Sequence, residues 1–139
     1  MKQTLNLLIV ITSVITFAGC ASGKLHSKDP LFTNKWILSE LNGNPVQTSN
    51  TEKDAGINFS YTDMKVSGTG GCNKFNGTFT ASGKDMSFGP LASTKMMCSD
   101  IKFEDAFFAA LSKVKNFEIT GNELSLRDGK TVLAKLRPR

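Results

Sequence analysis

The sequence predicts an α+β domain in which seven or eight short antiparallel strands curl around one amphipathic helix. Three observations lead to this fold. Short segments alternate apolar and polar residues, turn pairs such as Gly-Asn and Asp-Gly separate several of them, and one longer segment repeats its apolar residues with the period of a helix. The chain of 139 residues is long enough for one domain with its own core.

The strands before the helix are predicted from alternation and from the turn residues between them. Trp36 and Leu38 alternate with polar partners, and Asn42-Gly43-Asn44-Pro45 then turns the chain. Four further runs follow, divided by turns at Thr62-Asp63 and Ser82-Gly83 and closed by Gly89-Pro90; their apolar positions are Ile57 and Phe59, Met64 and Val66, Phe75 and Phe79, and Met86 and Phe88.

The helix is predicted from a stripe of apolar residues that falls on one helical face. Ser99 or Asp100 is placed to cap its first amides, while Glu104 and Asp105 suit the positive end of the helix dipole. The stripe, which we expect to pack in the core, consists of Phe103, Ala106, Phe107, Ala110, Leu111 and Val114.

The C-terminal part returns to strands. Alternation begins again at Phe117, and Gly121-Asn122 and Asp128-Gly129 divide the remainder into three runs. Such pairs between alternating runs are strong hairpin signals, so two successive hairpins are predicted here.

The N-terminus predicts export and lipidation. Lys2 precedes a mostly apolar run, and the tetrad Phe17-Ala18-Gly19-Cys20 resembles the bacterial lipobox, whose cysteine carries a diacylglycerol. The apolar run is shorter than a membrane span and is interrupted by polar residues. Residues 1–19 are therefore predicted to be a lipoprotein signal peptide and Cys20 the lipidation site; an ordinary cleaved signal is the alternative.

The residues after the signal peptide are predicted to form a tether and one domain. Residues 20–33 are largely small and polar, contain the single histidine, His26, and are expected to bury little. The folded domain is assigned to residues 34–139. Ala21, rather than aspartate, follows Cys20, which for bacterial lipoproteins favours the outer membrane, facing the periplasm.

Charge and cysteine content limit the classes of partner. The net charge of +5 is spread along the chain without a block of basic residues, so no nucleic-acid partner is predicted. With Cys20 lipidated, Cys72 and Cys98 remain in an oxidising compartment, where a disulfide is favoured and two buried free thiols are the alternative. Two cysteines and one distant histidine do not make a zinc site, and no metal or cofactor is predicted.

The segment from Gly68 to Phe79 is the most unusual in the chain. It lacks the Gly-Lys-Ser/Thr ending of a phosphate loop, and its glycines suit tight turns and close backbone approach. Its Gly70-Gly71-Cys72-Asn73 motif and the later segment from Phe88 to Cys98 resemble the signatures of the META domain family, which includes the heat-inducible lipoproteins of the HslJ type. The resemblance extends over residues 34–137.

The resemblance implies a single α+β domain with a strongly bent antiparallel sheet and one helix. It also implies that Cys72 and Cys98 lie close together. It brings no agreed catalytic residues, and members are linked to stress response, motility or virulence.

The sequence itself offers no catalytic set, because its histidine lies in the tether and no nucleophile has a partner base. The segment Thr94-Lys95-Met96-Met97 is the remaining candidate for a functional role. One of its methionines is expected to pack in the core and the other to cover it, while the alternative is a partner-binding loop, since methionine makes adaptable contacts. Asn73 is expected to bond to local backbone in a turn.

These observations predict a non-enzymatic protein held to the membrane by a lipid anchor. Its role would be binding or structural support in envelope stress or drug tolerance, with an envelope protein as partner. The alternative is an inhibitor-type binding module that docks on a secreted or cell-wall enzyme.

Overall fold

The structure, a computed structural model, describes residues 23–139. The signal peptide, Cys20 and the first residues of the predicted tether lie outside the described residues. No helix within the described range is long and apolar enough to cross a membrane. The elements are α1 (Pro30–Thr33), β1 (Lys35–Leu41), β2 (Asn44–Pro45), β3 (Gly56–Phe59), β4 (Lys65–Thr69), β5 (Lys74–Ser82), β6 (Asp85–Phe88), β7 (Ala92–Ser93), α2 (Ile101–Leu111), β8 (Asn116–Thr120), β9 (Glu123–Asp128) and β10 (Thr131–Pro138).

Eight of these strands form a closed antiparallel barrel in the order β1-β3-β4-β5-β6-β8-β9-β10. Closure comes from the last strand, which pairs along the first from Trp36 opposite Pro138 to Leu41 opposite Ala134. The two-residue strands β2 and β7 extend the sheet beside β1 and β5. The predicted antiparallel sheet with a packed helix is confirmed, and it is more closed than a bent sheet because its first and last strands pair with each other.

The hairpins predicted from alternation and turn residues are present. β3 and β4 pair from Phe59 opposite Val66 to Gly56 opposite Thr69, so the turn lies between them as expected. In the second half, Gly121 and Gly129 adopt the left-handed conformation at the two C-terminal turns, where a side chain beyond hydrogen would be strained.

The barrel is least continuous between β6 and β8. A single residue pair, Asp85 and Asn116, joins these strands. Two backbone hydrogen bonds flank it, from Met86 N–H to the carbonyl of Lys115 (3.0 Å) and from Phe117 N–H to the carbonyl of Lys84 (2.8 Å).

The inward positions of the strands and one face of α2 make the core. Trp36, Phe79 and Phe107 are among its largest fully buried side chains. The helix ends at Leu111, so Val114, the last residue of the predicted stripe, is buried from the turn after the helix. Asp100 occupies the N-cap position, but its side chain makes no capping hydrogen bond, which corrects the predicted cap.

The end of the predicted tether is part of the folded domain. α1 buries Leu31 completely, and the carbonyl of Leu31 accepts a hydrogen bond from the Trp36 indole N–H at 3.1 Å. The Phe32 ring lies 5.1 Å from that of Tyr61, edge to face. The expectation that residues up to 33 bury little is therefore wrong for α1, because Leu31 fills the space beside Trp36.

Candidate functional site

A disulfide joins the two segments that stood out in the sequence. Cys72 lies in the turn between β4 and β5, and Cys98 lies in the segment before α2; their Cα atoms are 6.3 Å apart. The structure therefore contains the favoured disulfide between Cys72 and Cys98, and not the alternative of two free thiols. The bond holds the segment before α2 against the β4–β5 turn.

Beneath the disulfide lies a buried carboxylate, Glu104, of which 2 % is exposed. Its Oε2 accepts hydrogen bonds from the backbone N–H of Asn73 (2.6 Å) and of Cys72 (3.3 Å). Its Oε1 accepts a bond from Nδ2 of Asn73 at 2.6 Å. Three N–H donors therefore compensate a group that would be costly to bury alone.

Glu104 stands in the first turn of α2, as expected. Its carboxylate, however, turns inward to the β4–β5 turn, while Asp105 stays exposed. Sequence reasoning missed this role. The signal was present, because Glu104, Phe107 and Leu111 are spaced three and four residues apart on one helical face, and an acidic residue on an apolar face needs a partner.

Asn73, 1 % exposed, links this carboxylate to the methionine segment. Its Oδ1 accepts bonds from the backbone N–H of Met96 (2.7 Å) and the hydroxyl of Thr94 (2.8 Å). Its Nδ2 also donates to the carbonyl of Met96 at 3.3 Å. The expected local turn bonds are not what this side chain makes; it connects three segments distant in sequence.

Glycine is required at the floor of this network. A Cβ atom placed on Gly70 would lie 2.5 Å from Cγ of Glu104, so any other residue here would displace the buried acid from its hydrogen bonds. Gly71 adopts a φ of +111°, a conformation that side chains disfavour. The predicted close approach and tight turn are both found here.

The methionine segment faces solvent. Met96 is 54 % exposed and Met97 is 100 % exposed, so the expectation that one of them packs in the core is wrong. The reason is that Asn73 holds the backbone of Met96 and its side chain must point away. Lys95 is exposed beside them. The loop is therefore accessible, and the alternative, a partner-binding loop, stays a prediction.

A cleft of about 890 Å³ opens beside this loop and the disulfide. Its walls come from the β1–β2 hairpin, the segment before β3, the β4–β5 turn and the start of α2. Its lining combines apolar and polar side chains. The lining residues are Leu41, Asn42, Asn44, Pro45, Val46, Gln47, Lys53, Asp54, Ala55, Gly70, Gly71, Cys72, Met96, Cys98, Ser99, Asp100, Phe103 and Ala106.

One wall of the cleft is shaped by Asp54. Its carboxylate accepts hydrogen bonds from the backbone N–H (2.9 Å) and hydroxyl (2.8 Å) of Ser49 and from the N–H of Thr51 (3.1 Å). The Ser49 backbone bond is the largest cause of a lowered pKa at Asp54. This turn positions Lys53 and Ala55 at the cleft, a contribution that no motif in the sequence indicated.

The arrangement provides shape and contact surface. The two thiols are joined, the Glu104 carboxylate is occupied by backbone donors, and His26 is exposed in the N-terminal segment. Among residues 23–139, no group of three or more His, Cys, Asp or Glu side chains is placed to hold a metal ion. What the cleft presents to a partner is a set of apolar side chains, among them Val46 and Phe103, beside the half-exposed side chain of Met96.

Comparison with known proteins finds a matching family model and a similar named protein. The model of the META domain matches residues 29–138. The chain is 27% identical over 124 residues to Heat shock protein HslJ of Escherichia coli K12, covering 86% of each chain.

Solved structures share the architecture. An NMR structure aligns with a TM-score of 0.60 at 25% identity, over 76% of this chain and 88% of the other. A second, from Burkholderia xenovorans, aligns with a TM-score of 0.60 at 19% identity, over 86% and 96%. A DUF4847 family protein of Bacteroides vulgatus aligns with a TM-score of 0.58 at 17% identity, over 81% and 96%.

Proposed function

The chain belongs to the META domain family, and on this premise we propose that it is a lipid-anchored protein of the cell envelope that acts by binding a partner rather than by catalysis. The observation that carries the proposal is the exposed methionine loop held open beside the cleft. A disulfide and a buried asparagine rigidify its backbone while leaving its apolar side chains in solvent. A preordered loop of this kind loses little entropy when a partner covers it.

A role in stress tolerance is part of the proposal. One relative, from Escherichia coli, is called a heat shock protein, and the sequence predicts export to the envelope. A disulfide suits that oxidising location. The outer membrane, facing the periplasm, is the site that Ala21 favours.

The anchor is tested at Cys20. Cells expressing the chain are labelled with radioactive palmitate, and the wild type is compared with Cys20→Ala and with Cys72→Ala. We expect label on the wild type and on Cys72→Ala, and none on Cys20→Ala, because the lipid attaches to the thiol of that cysteine. Palmitate label that persists on Cys20→Ala would contradict lipidation at Cys20.

Binding is tested by capture of partners from the envelope with the lipidated protein. The informative variant is Met96→Ser/Met97→Ser, and the matched control is Tyr61→Ser, which removes an exposed apolar side chain at the β3–β4 turn. We expect specific partners to be lost with the methionines and retained with the control. Equal recovery with all three proteins would contradict a role for this loop.

The exposed loop also fits the alternative, an inhibitor-type module that docks on a secreted or cell-wall enzyme. Inhibitors of that type present a rigid loop to the target, and Met97 protrudes fully. Assays of purified wall hydrolases with the wild type and with Met96→Ser/Met97→Ser distinguish the two functions, because only the inhibitor reading predicts a loss of hydrolysis that depends on these methionines.

A further inference from the structure

We propose that the methionine segment is a substrate-like strand that inhibits a serine endopeptidase by occupying its active-site cleft, with Met97 in an apolar specificity pocket. This inference rests on the proposed binding function and names the class of partner. The peptide bond presented to the enzyme is the one between Met97 and Cys98.

The backbone of this segment is bound to the domain at every second residue. The Thr94 N–H donates to the carbonyl of Lys74 at 3.0 Å, and the Met96 N–H donates to Oδ1 of Asn73 at 2.7 Å. Asn73 also holds the carbonyl of Met96, to which its Nδ2 donates at 3.3 Å. Because residues 94–98 enter no helix and no turn, bonds at alternate residues mean that one edge of an extended chain faces the domain.

The opposite edge of the segment is free. Lys95 and Met97 have no backbone hydrogen-bond partner among other backbone groups of residues 23–139, and the side chain of Met97 is fully exposed. An extended chain with a free edge adds as a strand to another protein, where main-chain bonds give affinity and side-chain pockets give specificity. Endopeptidases bind their substrates in this extended form, so the segment has the backbone of a substrate.

The chemistry of Met97 indicates which endopeptidases accept it. Its long, uncharged side chain fits the hydrophobic specificity pocket of the chymotrypsin type, and not the trypsin pocket, in which an aspartate selects basic residues. A serine nucleophile also suits the oxidising compartment that the sequence predicts, because a catalytic thiol would be oxidised there.

The attachments on either side of Met97 distinguish an inhibitor from a substrate. A serine endopeptidase attacks the Met97 carbonyl, forms an acyl-enzyme and frees the amine of Cys98, while its histidine carries the proton from the serine to that amine. Here the amine does not diffuse away, because the disulfide ties Cys98 to Cys72 and Asn73 holds Met96. The amine therefore attacks the acyl group, re-forms the peptide bond and returns the proton to the serine.

This route applies only to enzymes that form an acyl intermediate. A metallopeptidase attacks the peptide bond with a metal-bound water, so it forms no acyl-enzyme that the retained amine could reverse. The ordered backbone of the segment adds to the affinity for a serine enzyme, because little conformational entropy is lost on binding.

The test is inhibition of chymotrypsin and subtilisin, two serine endopeptidases with apolar specificity pockets, by the processed, envelope-purified chain. Activity is measured with a chromogenic peptide, and thermolysin, a metallopeptidase that also prefers apolar residues, is the control enzyme. We expect competitive inhibition of the two serine enzymes and none of thermolysin. Mass spectrometry should find a minor form cleaved between Met97 and Cys98, with its two pieces still joined by the disulfide.

The informative variant is Met97→Ala, and the matched control is Tyr61→Ala, which removes an exposed apolar side chain at the β3–β4 turn. Met97→Ala should weaken inhibition of chymotrypsin by about 30-fold or more, as expected for the central side chain of an interface, and the control should change it little. Met97→Lys should transfer the inhibition from chymotrypsin to trypsin, which the wild type leaves active. Both Met97 variants should fold normally, because that side chain is fully exposed.

Three outcomes would overturn the proposal: inhibition of thermolysin equal to that of the serine enzymes or inhibition of none of them, equal loss in Met97→Ala and Tyr61→Ala, or rapid cleavage of the chain with full recovery of enzyme activity. Failure of these assays would leave capture of another envelope partner by the methionine segment standing. Failure of capture would leave inhibition of the purified enzymes standing, so the two proposals fail separately.

Discussion

Glu104 is the residue on which the candidate site depends. It brings a carboxylate into the protein where it serves the amides of Cys72 and Asn73 and the side-chain amide of Asn73. The backbone N–H of Asn73, which is buried, would otherwise have no acceptor. The residue therefore works as a structural hydrogen-bond acceptor, which orders the turn from which Asn73 reaches the methionine segment.

We predict that Glu104→Ala lowers the free energy of unfolding by about 2–4 kcal/mol, because it leaves several buried donors unsatisfied. Urea denaturation of the purified chain measures this change. The matched control is Asp105→Ala, an exposed acid one residue away, which should alter stability by no more than about 0.5 kcal/mol. Similar losses of unfolding free energy in both variants would contradict a stabilising role that is specific to Glu104.

At the scale of elements, the segment between β7 and α2 is held at two independent points. Asn73 binds the backbone of Met96, and the disulfide ties Cys98 to Cys72. Between them Met97 is left fully exposed. Two attachments on either side of an exposed residue explain why the loop keeps its shape without packing its side chains in the core.

Removing the disulfide should separate these two attachments. For Cys72→Ala/Cys98→Ala we expect a loss of about 3–4 kcal/mol on the chain-entropy model for a separation of 26 residues. Hydrogen exchange should increase at residues 97–100, while the amide of Met96 stays protected because Asn73 still binds it.

The control for this experiment is Met97→Ala, which should leave both stability and exchange unchanged since its side chain touches nothing. Loss of protection at Met96 in the double alanine variant would contradict the prediction, because it would mean that Asn73 holds the loop only when the disulfide is intact.

At the scale of the whole molecule, closure of the barrel makes its stability depend jointly on the first and last strands. β1 and β10 pair with each other, and the pair is fastened at the surface by Glu52 between Lys35 and Arg139. Few surface ion pairs matter alone. Here one acid bridges a cation at the start of β1 and the cation that follows β10, so its protonation would weaken both ion pairs.

The stability of the molecule should fall in acid. The pKa values of Glu52, Asp54 and Asp63 are all lowered, chiefly by hydrogen bonds from the Lys35 ammonium, the Ser49 backbone and the Ser60 hydroxyl respectively. Because unfolding returns each carboxyl to its ordinary, higher pKa, the unfolded chain binds more protons in acid. The stabilisation is complete above the ordinary pKa values, near 4, and is lost as pH falls through the lowered ones.

Urea midpoints measured across this pH range test the prediction. Changing Glu52, Asp54 and Asp63 to their amides should flatten the profile. Changing the exposed Asp85, Asp100 and Asp105 to amides is a control of equal charge and should flatten it less. An unchanged slope in the first variant would contradict the assignment of acid sensitivity to these three groups.

The sequence by itself determined the features that depend on neighbours along the chain. Alternation and turn pairs predicted the hairpins around Thr62-Asp63 and Gly121-Asn122, and the helical stripe predicted α2, because strand and helix periodicities are local properties. The family motifs indicated that Cys72 and Cys98 belong together. These predictions needed no knowledge of which distant segments meet.

Only the tertiary structure decided the rest. Closure of the barrel depends on β10 meeting β1, the burial of Leu31 on Trp36, and the role of Glu104 on the arrival of Asn73 from a distant turn. Methionine is apolar and was expected inside, yet the hydrogen bonds of Asn73 to the Met96 backbone left the side chains in solvent. The buried Asn73 amide must be hydrogen-bonded, and this requirement outweighed the preference of the Met96 side chain for the core. Which of the two effects dominates depends on residues that are distant in sequence and close in space, so local sequence does not reveal it.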